Sequence, residues 1–127
     1  MSLITLPFAE RMKQAILSGQ KCCTTRYSKK GDPGDWFFVG GEAFRILDVQ
    51  LAPLPMVRDI FYRLEGCSSP DDFECLWRSL HGGAFPPLQA CWVHFFVRFP
   101  IPAEIIAADT EAAREADRVA SEDREAV

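Results

Sequence analysis

The stretch from Gly19 to Lys30 contains the residues of this chain that are best suited to chemistry. It carries four cations and no acidic residue, and the cations are Lys21, Arg26, Lys29 and Lys30. Side-chain hydroxyls lie among them, on Thr24, Thr25, Tyr27 and Ser28. Such a run can bind an anion or combine a hydroxyl nucleophile with its base. On residue types alone, an exposed strand with solvated cations is the more ordinary explanation.

A helix and a strand are predicted to position this stretch. Apolar residues recur at helical spacing from Phe8 to Ile16, and Gly19 stands where a helix usually ends in a left-handed residue. Residues 22–27 are rich in β-forming types and predict a strand. The glycines and proline of the sequence KKGDPGD then predict a turn. The basic stretch should therefore run from a helix end into a strand.

Two further strands are predicted at residues 36–39 and 44–51, with a hairpin turn at Gly40 and Gly41 between them. With the strand at 22–27 they favour a β-meander. Pro53 and Pro55 are expected to end the third of these strands.

Two helices should follow, separated by a short connector. Apolar spacing predicts the first from Met56 to Leu64, ended by Gly66. Ser69, Pro70 and Asp72 give the second a cap, a first-turn proline and the acid of a capping box. Glu65 lies on the connector, where rigid neighbours can position a polar group.

The final strand has the strongest pattern in the sequence. From Ala90 to Phe99, apolar residues occur on both alternating faces, and Pro100 and Pro102 then end the run. A strand that is apolar on both faces is expected at the centre of a sheet.

Length and charge divide the chain into one domain and a tail. The 127 residues, 48% of them hydrophobic, suffice for one compact domain, predicted at residues 1–102. Residues 103–127 form an acidic Ala/Glu/Arg-rich tail, expected to be helical or frayed. Its eight acids and three arginines give −5, so the remaining residues carry +1 of the total −4. The acidity therefore belongs to the tail.

The five cysteines show neither C-x-x-C nor Cys/His zinc spacings, so we expect reduced thiols and no metal. No cofactor is indicated. No charged-then-apolar leader opens the sequence, and no apolar run approaches the roughly 18 residues of a membrane span. The sequence thus predicts a soluble cytoplasmic protein without membrane association.

Three sequence features occur in a recognisable order. The first is G-x-K-x-x-T-x-R, formed by Gly19, Lys21, Thr24 and Arg26. The glycine turn KKGDPGD follows, and then the sequence EGCSS at residues 65–69, ahead of the closing apolar strand. Together they resemble the ASCH domain family, whose members are similar to the PUA fold. The resemblance covers roughly Leu3 to Phe99 and implies an α+β fold, a PUA-like small β-barrel with packed helices.

The resemblance also implies a role linked to RNA. The best understood branch of the family comprises small bacterial amidohydrolases that remove the acetyl group from N4-acetylcytidine, with a threonine, a lysine and a glutamate as the catalytic set. The matching positions are Thr24, Lys21 and Glu65. The sequence departs from that branch at Tyr27, where an aspartate is common, and in its acidic tail.

The expected function is therefore an amidohydrolase acting on an N4-acylated cytidine or a similar modified nucleoside. Its partner would be that nucleoside or RNA, with no DNA expected. Four residues are candidates for binding the substrate or RNA: Arg26, Tyr27, Lys29 and Lys30. Lys21 would act as base for Thr24, and Glu65 would orient Lys21 or carry a proton to the leaving amine.

Strand geometry places a condition on this set. Residues three apart point to opposite faces of an ideal strand, so Lys21 can reach Thr24 only if it precedes the strand or a bulge intervenes. Taken singly, Thr24 is more commonly a packing residue and Glu65 a surface carboxylate.

Two other functions compete with hydrolysis. A non-catalytic RNA-binding module would use the cations of the basic stretch on phosphates, although a body charge of +1 disfavours extended RNA binding. A coregulator-type interaction domain would use the acidic tail to bind a partner or to cover the basic stretch.

Overall fold

The structure, a computed structural model, describes residues 1–99. Its helices are α1 (Glu10–Leu17), α2 (Leu54–Ile60) and α3 (Pro70–Leu80), and its strands are β1 (Cys23–Arg26), β2 (Trp36–Val39), β3 (Glu42–Pro53) and β4 (Ala90–Arg98). The predicted boundary at residues 102 and 103 and the predicted acidic tail lie outside the described residues. None of the helices in this part of the chain has the length and apolarity needed to cross a membrane.

The four strands form one antiparallel sheet in the order β1-β4-β3-β2, curled into a half-barrel. With three helices packed around it, this is the predicted small α+β barrel-like fold. The hairpin of β2 and β3 is confirmed, and so is the central position of β4. The meander is wrong at β1, which pairs with β4 instead of β2. The connection over residues 27–35 crosses to the far side of the sheet because β4 occupies the place between β1 and β3.

The third strand is longer than predicted and is bent by a bulge. Its register against β4 shifts between Ile46 and Asp48, leaving Leu47 as the additional, exposed residue. Pro53 is the last residue of the strand and Pro55 lies in the first turn of α2, positions where a missing N–H costs little. The helix therefore starts two residues before Met56, and it ends at Ile60 instead of Leu64.

Helix α3 begins as predicted, because the Ser69 hydroxyl accepts a hydrogen bond of 3.0 Å from the Asp72 main-chain N–H. The core inside the half-barrel includes the rings of Phe37, Phe44 and Phe96, which pack at 5.2 to 5.9 Å. The middle of β4, from Cys91 to Phe96, is buried or half-buried on both faces, and the site described next lies along β1, which pairs with it.

Candidate active site

Lys21 and Glu65 are brought together by main-chain pairing at the edge of β1. Lys21 precedes the strand and forms an isolated antiparallel bridge with Glu65. The main-chain N–H groups of Cys22 and Cys23 both donate to the Leu64 carbonyl, at 2.7 and 3.1 Å. The connector after α2 is thus laid along the segment that enters β1. Glu65 lies on that connector, as predicted.

Gly66 allows this close approach. Its φ is +83°, and a Cβ built there would lie 3.1 Å from the Cβ of Ala15 and 3.2 Å from the Cβ of Lys21. Any side chain at this position would have to push α1 or Lys21 aside. The glycine therefore sets the distance between the connector and the basic stretch.

The Lys21 and Glu65 side chains form a buried ion pair. Lys21 Nζ donates to Glu65 Oε1 at 2.7 Å and to the Glu65 carbonyl oxygen at 3.3 Å, and neither side chain has any exposed surface. Two charges so far from water are tolerated because each compensates the other.

Thr25 completes this cluster. Its Oγ1 donates a short hydrogen bond to Glu65 Oε2, so the carboxylate is bonded at both oxygens. Lys21 and Thr25 are four residues apart, and the period of two along an extended chain places them on the same side. The structure thus assembles a lysine, a glutamate and a threonine, but the threonine is residue 25.

Thr24 belongs to the opposite face of β1. Its Oγ1 accepts a hydrogen bond of 3.0 Å from Arg26 Nε, and its carbonyl oxygen lies 3.2 Å from His94 Nδ1. Lys21 precedes the strand, which was one of the two conditions for its contact with Thr24. Its amine nevertheless bonds to Glu65 instead of Thr24. The alternation of the strand would have indicated Thr25, whereas the family motif indicates Thr24.

His94 has a defined tautomer in this arrangement. The Lys30 main-chain N–H donates to His94 Nε2 at 3.0 Å, so Nε2 carries no proton and Nδ1 donates to the Thr24 carbonyl. Burial lowers the pKa of His94, and the nearby charges of Arg26 and Lys30 lower it further. This neutral imidazole fastens the loop after β1 to the sheet, a role that the sequence did not reveal.

The four predicted binding residues divide between the interior and the surface. Arg26 is only 3% exposed, and its Nη2 donates to the Pro7 carbonyl at 2.7 Å. Lys29 pairs with Asp32 at 2.8 Å, and Lys30 is exposed. Tyr27 is 39% exposed and meets Trp77 and His81 edge-on, each at 5.2 Å. The stretch therefore does not present four cations to one ligand.

The neighbouring thiol of Cys23 is not activated. Burial raises its pKa well above the ordinary value, and the charge of Glu65 raises it further, which outweighs the lowering effect of Lys21. A buried neutral thiol is a poor nucleophile, so the hydroxyl is the better candidate. Within residues 1–99, no group of three or more His, Cys, Asp or Glu side chains is placed to hold a metal ion.

Two cavities of about 340 Å³ each lie beside the Lys21 segment. One lies between the end of α1 and the strands β3 and β4, and Lys21 and Cys22 line part of it. The other is lined by the turn around Gly66, by Gln20 and by Arg63. Both cavities are therefore close in sequence to Lys21 or to Glu65.

A solved structure with a similar fold is the crystal structure of hypothetical protein PH0355. The two align with a TM-score of 0.58 at 16% sequence identity, over 78% of this chain and 100% of that one. At this identity the similarity concerns the fold alone. No protein-family model matches the chain, and no curated protein matches it.

Proposed function

We propose that this protein is a small amidohydrolase of the ASCH type, acting on an N4-acylated cytidine or a similar modified nucleoside. The observation that carries the proposal is the buried cluster of Lys21, Glu65 and Thr25, which joins a hydroxyl, a carboxylate and an ammonium by direct hydrogen bonds. These are the residue types of the catalytic set that the resemblance implies. The contacts favour Thr25 over Thr24 as the hydroxyl.

The cluster supports a two-step acyl transfer. Glu65 removes the proton as Thr25 Oγ1 attacks the acyl carbonyl carbon, and it returns that proton to the departing N4 amine. Water then attacks the resulting ester of Thr25, which releases the carboxylic acid and restores the hydroxyl. Lys21 holds the Glu65 side chain in place through their hydrogen bond, and its positive charge stabilises the negative charge that develops on the carbonyl oxygen.

The side chains of the cluster have no exposed surface, so a substrate can reach Thr25 only when the residues packed over the cluster move apart. Because such a site excludes water, its dielectric constant is low and each electrostatic interaction within it is stronger. Opening and closing would then limit turnover, as in enzymes with mobile lids.

The experiment compares Thr25→Val with Thr24→Val. Both residues are fully buried neighbours on β1, and valine preserves the shape of threonine while removing the hydroxyl. Hydrolysis of N4-acetylcytidine should fall by about a hundredfold or more in Thr25→Val, the scale expected for a lost nucleophile or proton relay, and much less in Thr24→Val. Circular dichroism spectra that match the wild type are the control for folding of both variants.

Absence of turnover by the wild-type protein across a set of N4-acylated cytidines would refute the proposal. The reverse result, with Thr24→Val inactive and Thr25→Val active, would keep the activity and assign the hydroxyl to Thr24.

The burial of the basic stretch weighs against the RNA-binding alternative. Lys21 and Arg26 face inward, and Lys29 is paired with Asp32. Affinity for RNA arises from many phosphate contacts, and this stretch offers few. The coregulator-type alternative depends on the tail, which lies outside the described residues.

A further inference from the structure

The indole N–H of Trp77 is a buried donor without an acceptor in the protein. Trp77 lies on α3 and is fully buried, and within residues 1–99 no atom accepts a hydrogen bond from its Nε1. A buried N–H that lacks an acceptor costs free energy, so such groups are rare in folded proteins. Indole is a donor only and is uncharged, so a ligand that satisfies it must bring an acceptor atom.

Trp77 lies on the same side of β1 as the buried cluster. Thr25 bonds to Glu65, on the connector before α3, and Tyr27 meets the Trp77 ring edge-on with the ring centres 5.2 Å apart. Thr25 and Tyr27 are two residues apart at the end of β1, so their side chains share one side, separated by about 7 Å along the chain. The Thr25 hydroxyl and the Trp77 ring are therefore neighbours along the contact between β1 and α3.

The ring of Tyr27 is the exposed part of the cover over Trp77. In the described part of the chain, the rings of Phe73, Tyr27 and His81 pack against Trp77, with centres at 6.1, 5.2 and 4.0 Å. Phe73 is buried and His81 is half-buried, whereas Tyr27 is 39% exposed. Tyr27 has the least buried surface to lose, so it can turn outwards at a smaller cost than the other two. Its displacement would open a path to the indole and to the side of β1 that carries Thr25.

The surroundings of Trp77 favour a neutral carbonyl oxygen as the acceptor. The indole lies among aromatic rings, and the lysine and arginine side chains that stack on rings in residues 1–99 do so on other rings. A phosphate placed there would lose its hydration without a cation to compensate it. A carbonyl oxygen is neutral before reaction and gains negative charge when its carbon is attacked, so an N–H donor binds it more strongly in the transition state.

We propose that Trp77 Nε1 donates a hydrogen bond to the acyl carbonyl oxygen of the substrate and stabilises the negative charge that develops there as Thr25 attacks. This role rests on the proposed function, whose chemistry requires a donor at that oxygen. The Lys21 amine is already bonded to Glu65 at 2.7 Å, whereas the Trp77 N–H is uncommitted within residues 1–99. The Tyr27 ring moves aside to admit the acyl group.

Proton–nitrogen NMR of the indole groups tests this hydrogen bond without requiring turnover. The chain has three tryptophans, Trp36, Trp77 and Trp92, so Trp36→Phe and Trp92→Phe assign the Trp77 signal by elimination. In Thr25→Val protein, N4-acetylcytidine should shift the Trp77 N–H proton signal downfield, because a hydrogen bond deshields the proton. Cytidine lacks the acyl group and should leave this signal in place.

The kinetics of Trp77→Phe test the catalytic role, because phenylalanine keeps an aromatic ring and removes the N–H. Its kcat for N4-acetylcytidine should fall about a hundredfold, with KM changed by less than about threefold, the pattern for a donor that acts mainly in the transition state. Trp36→Phe is the matched control, because it removes an indole N–H from β2, at the opposite edge of the sheet from β1, and should retain full activity. A residue that only packs in the core would alter the urea midpoint and leave the kcat of the folded protein unchanged.

A Trp77 signal that N4-acetylcytidine leaves in place would overturn the inference, as would a wild-type kcat in Trp77→Phe. The proposed function fails separately. Hydrolysis by the wild type without a shift of the Trp77 signal would remove only the donor, and a shift without hydrolysis would keep the acyl-binding donor and remove only the enzyme.

Discussion

Lys21 and Thr25 bond opposite oxygens of one carboxylate, that of Glu65. Glu65 is separated from them by about forty residues of sequence, and its approach depends on the pairing of its connector with the edge of β1. The candidate site is therefore part of the sheet edge, and the position of Glu65 depends on the main-chain pairing there.

The buried pair predicts unequal effects of removing one or both charges. Lys21→Met leaves Glu65 buried without a cation, and Glu65→Gln leaves Lys21 without an anion. Each should lower the free energy of unfolding by about 3–5 kcal/mol, the range for breaking a buried ion pair. The double variant should lose clearly less than the sum of the two single losses, because no uncompensated charge remains.

Urea denaturation of the four proteins measures this coupling. Additive losses in the double variant would show that the two charges do not depend on each other.

Gly66 predicts a specific steric effect. Gly66→Ala adds a methyl group within 3.2 Å of both the Ala15 and Lys21 Cβ atoms, in a backbone conformation with φ of +83°. The backbone strain alone costs about 1 kcal/mol or more, and the contacts add to it. Gly41→Ala is the matched control, because φ there is +79° and nothing lies within 4 Å.

Gly66→Ala should therefore unfold at a clearly lower urea concentration than Gly41→Ala, and it should also lose hydrolytic activity. Equal midpoints for the two variants would mean that the connector can move away from Lys21 without cost.

Arg26 predicts a loss of stability on exchange for lysine. Its Nε donates to Thr24 Oγ1 and its Nη2 to the Pro7 carbonyl, two directions that one ammonium cannot serve together. Arg26→Lys should cost about 1–3 kcal/mol, the scale for a buried polar group left without its partner. Arg11→Lys is the control, because Arg11 makes a half-exposed ion pair with Asp72 and should change stability by less than about 1 kcal/mol.

Thermal unfolding of the two variants decides this point. An Arg26→Lys protein as stable as Arg11→Lys would show that the guanidinium geometry is unimportant.

Local sequence patterns predict where helices and strands lie better than they predict which strands pair. The start of α3 follows from Ser69 and Pro70, and β2 from its short apolar run, because both signals act over a few residues. The pairing of β1 with β4 joins residues about seventy positions apart, such as Thr24 and His94. Alternation within a strand identifies its faces but not its partner strand.

The candidate site shows the same division. The motif indicates Lys21 and Glu65, and the resemblance implies that Glu65 orients Lys21, but no residue pattern places the two side chains in contact. The period of two along a strand places Thr25 on the same side as Lys21, whereas the family motif indicates Thr24. The inward orientation of Arg26 had no local signal, since an arginine in a basic run is ordinarily exposed.

His94 predicts a dependence of stability on pH. Its pKa is lowered in the folded protein because burial and the nearby cations Arg26 and Lys30 disfavour the imidazolium. An unfolded chain has a histidine pKa of about 6.5. The stabilisation is therefore fully present above pH 6.5 and is lost as the pH falls through the folded value, because the unfolded state then binds the proton first.

Protonation also removes the acceptor for the Lys30 N–H, which fastens the loop after β1 to the sheet. Urea midpoints measured from pH 8 to pH 5 should fall for the wild type more steeply than for His94→Gln. The lowered carboxyl pKa values of Asp72 and Glu74 contribute only below this interval, and His81 is present in both proteins. Parallel curves for the two proteins would mean that protonation of His94 does not cause the loss of stability at low pH. The loop after β1 would then be held by its other contacts.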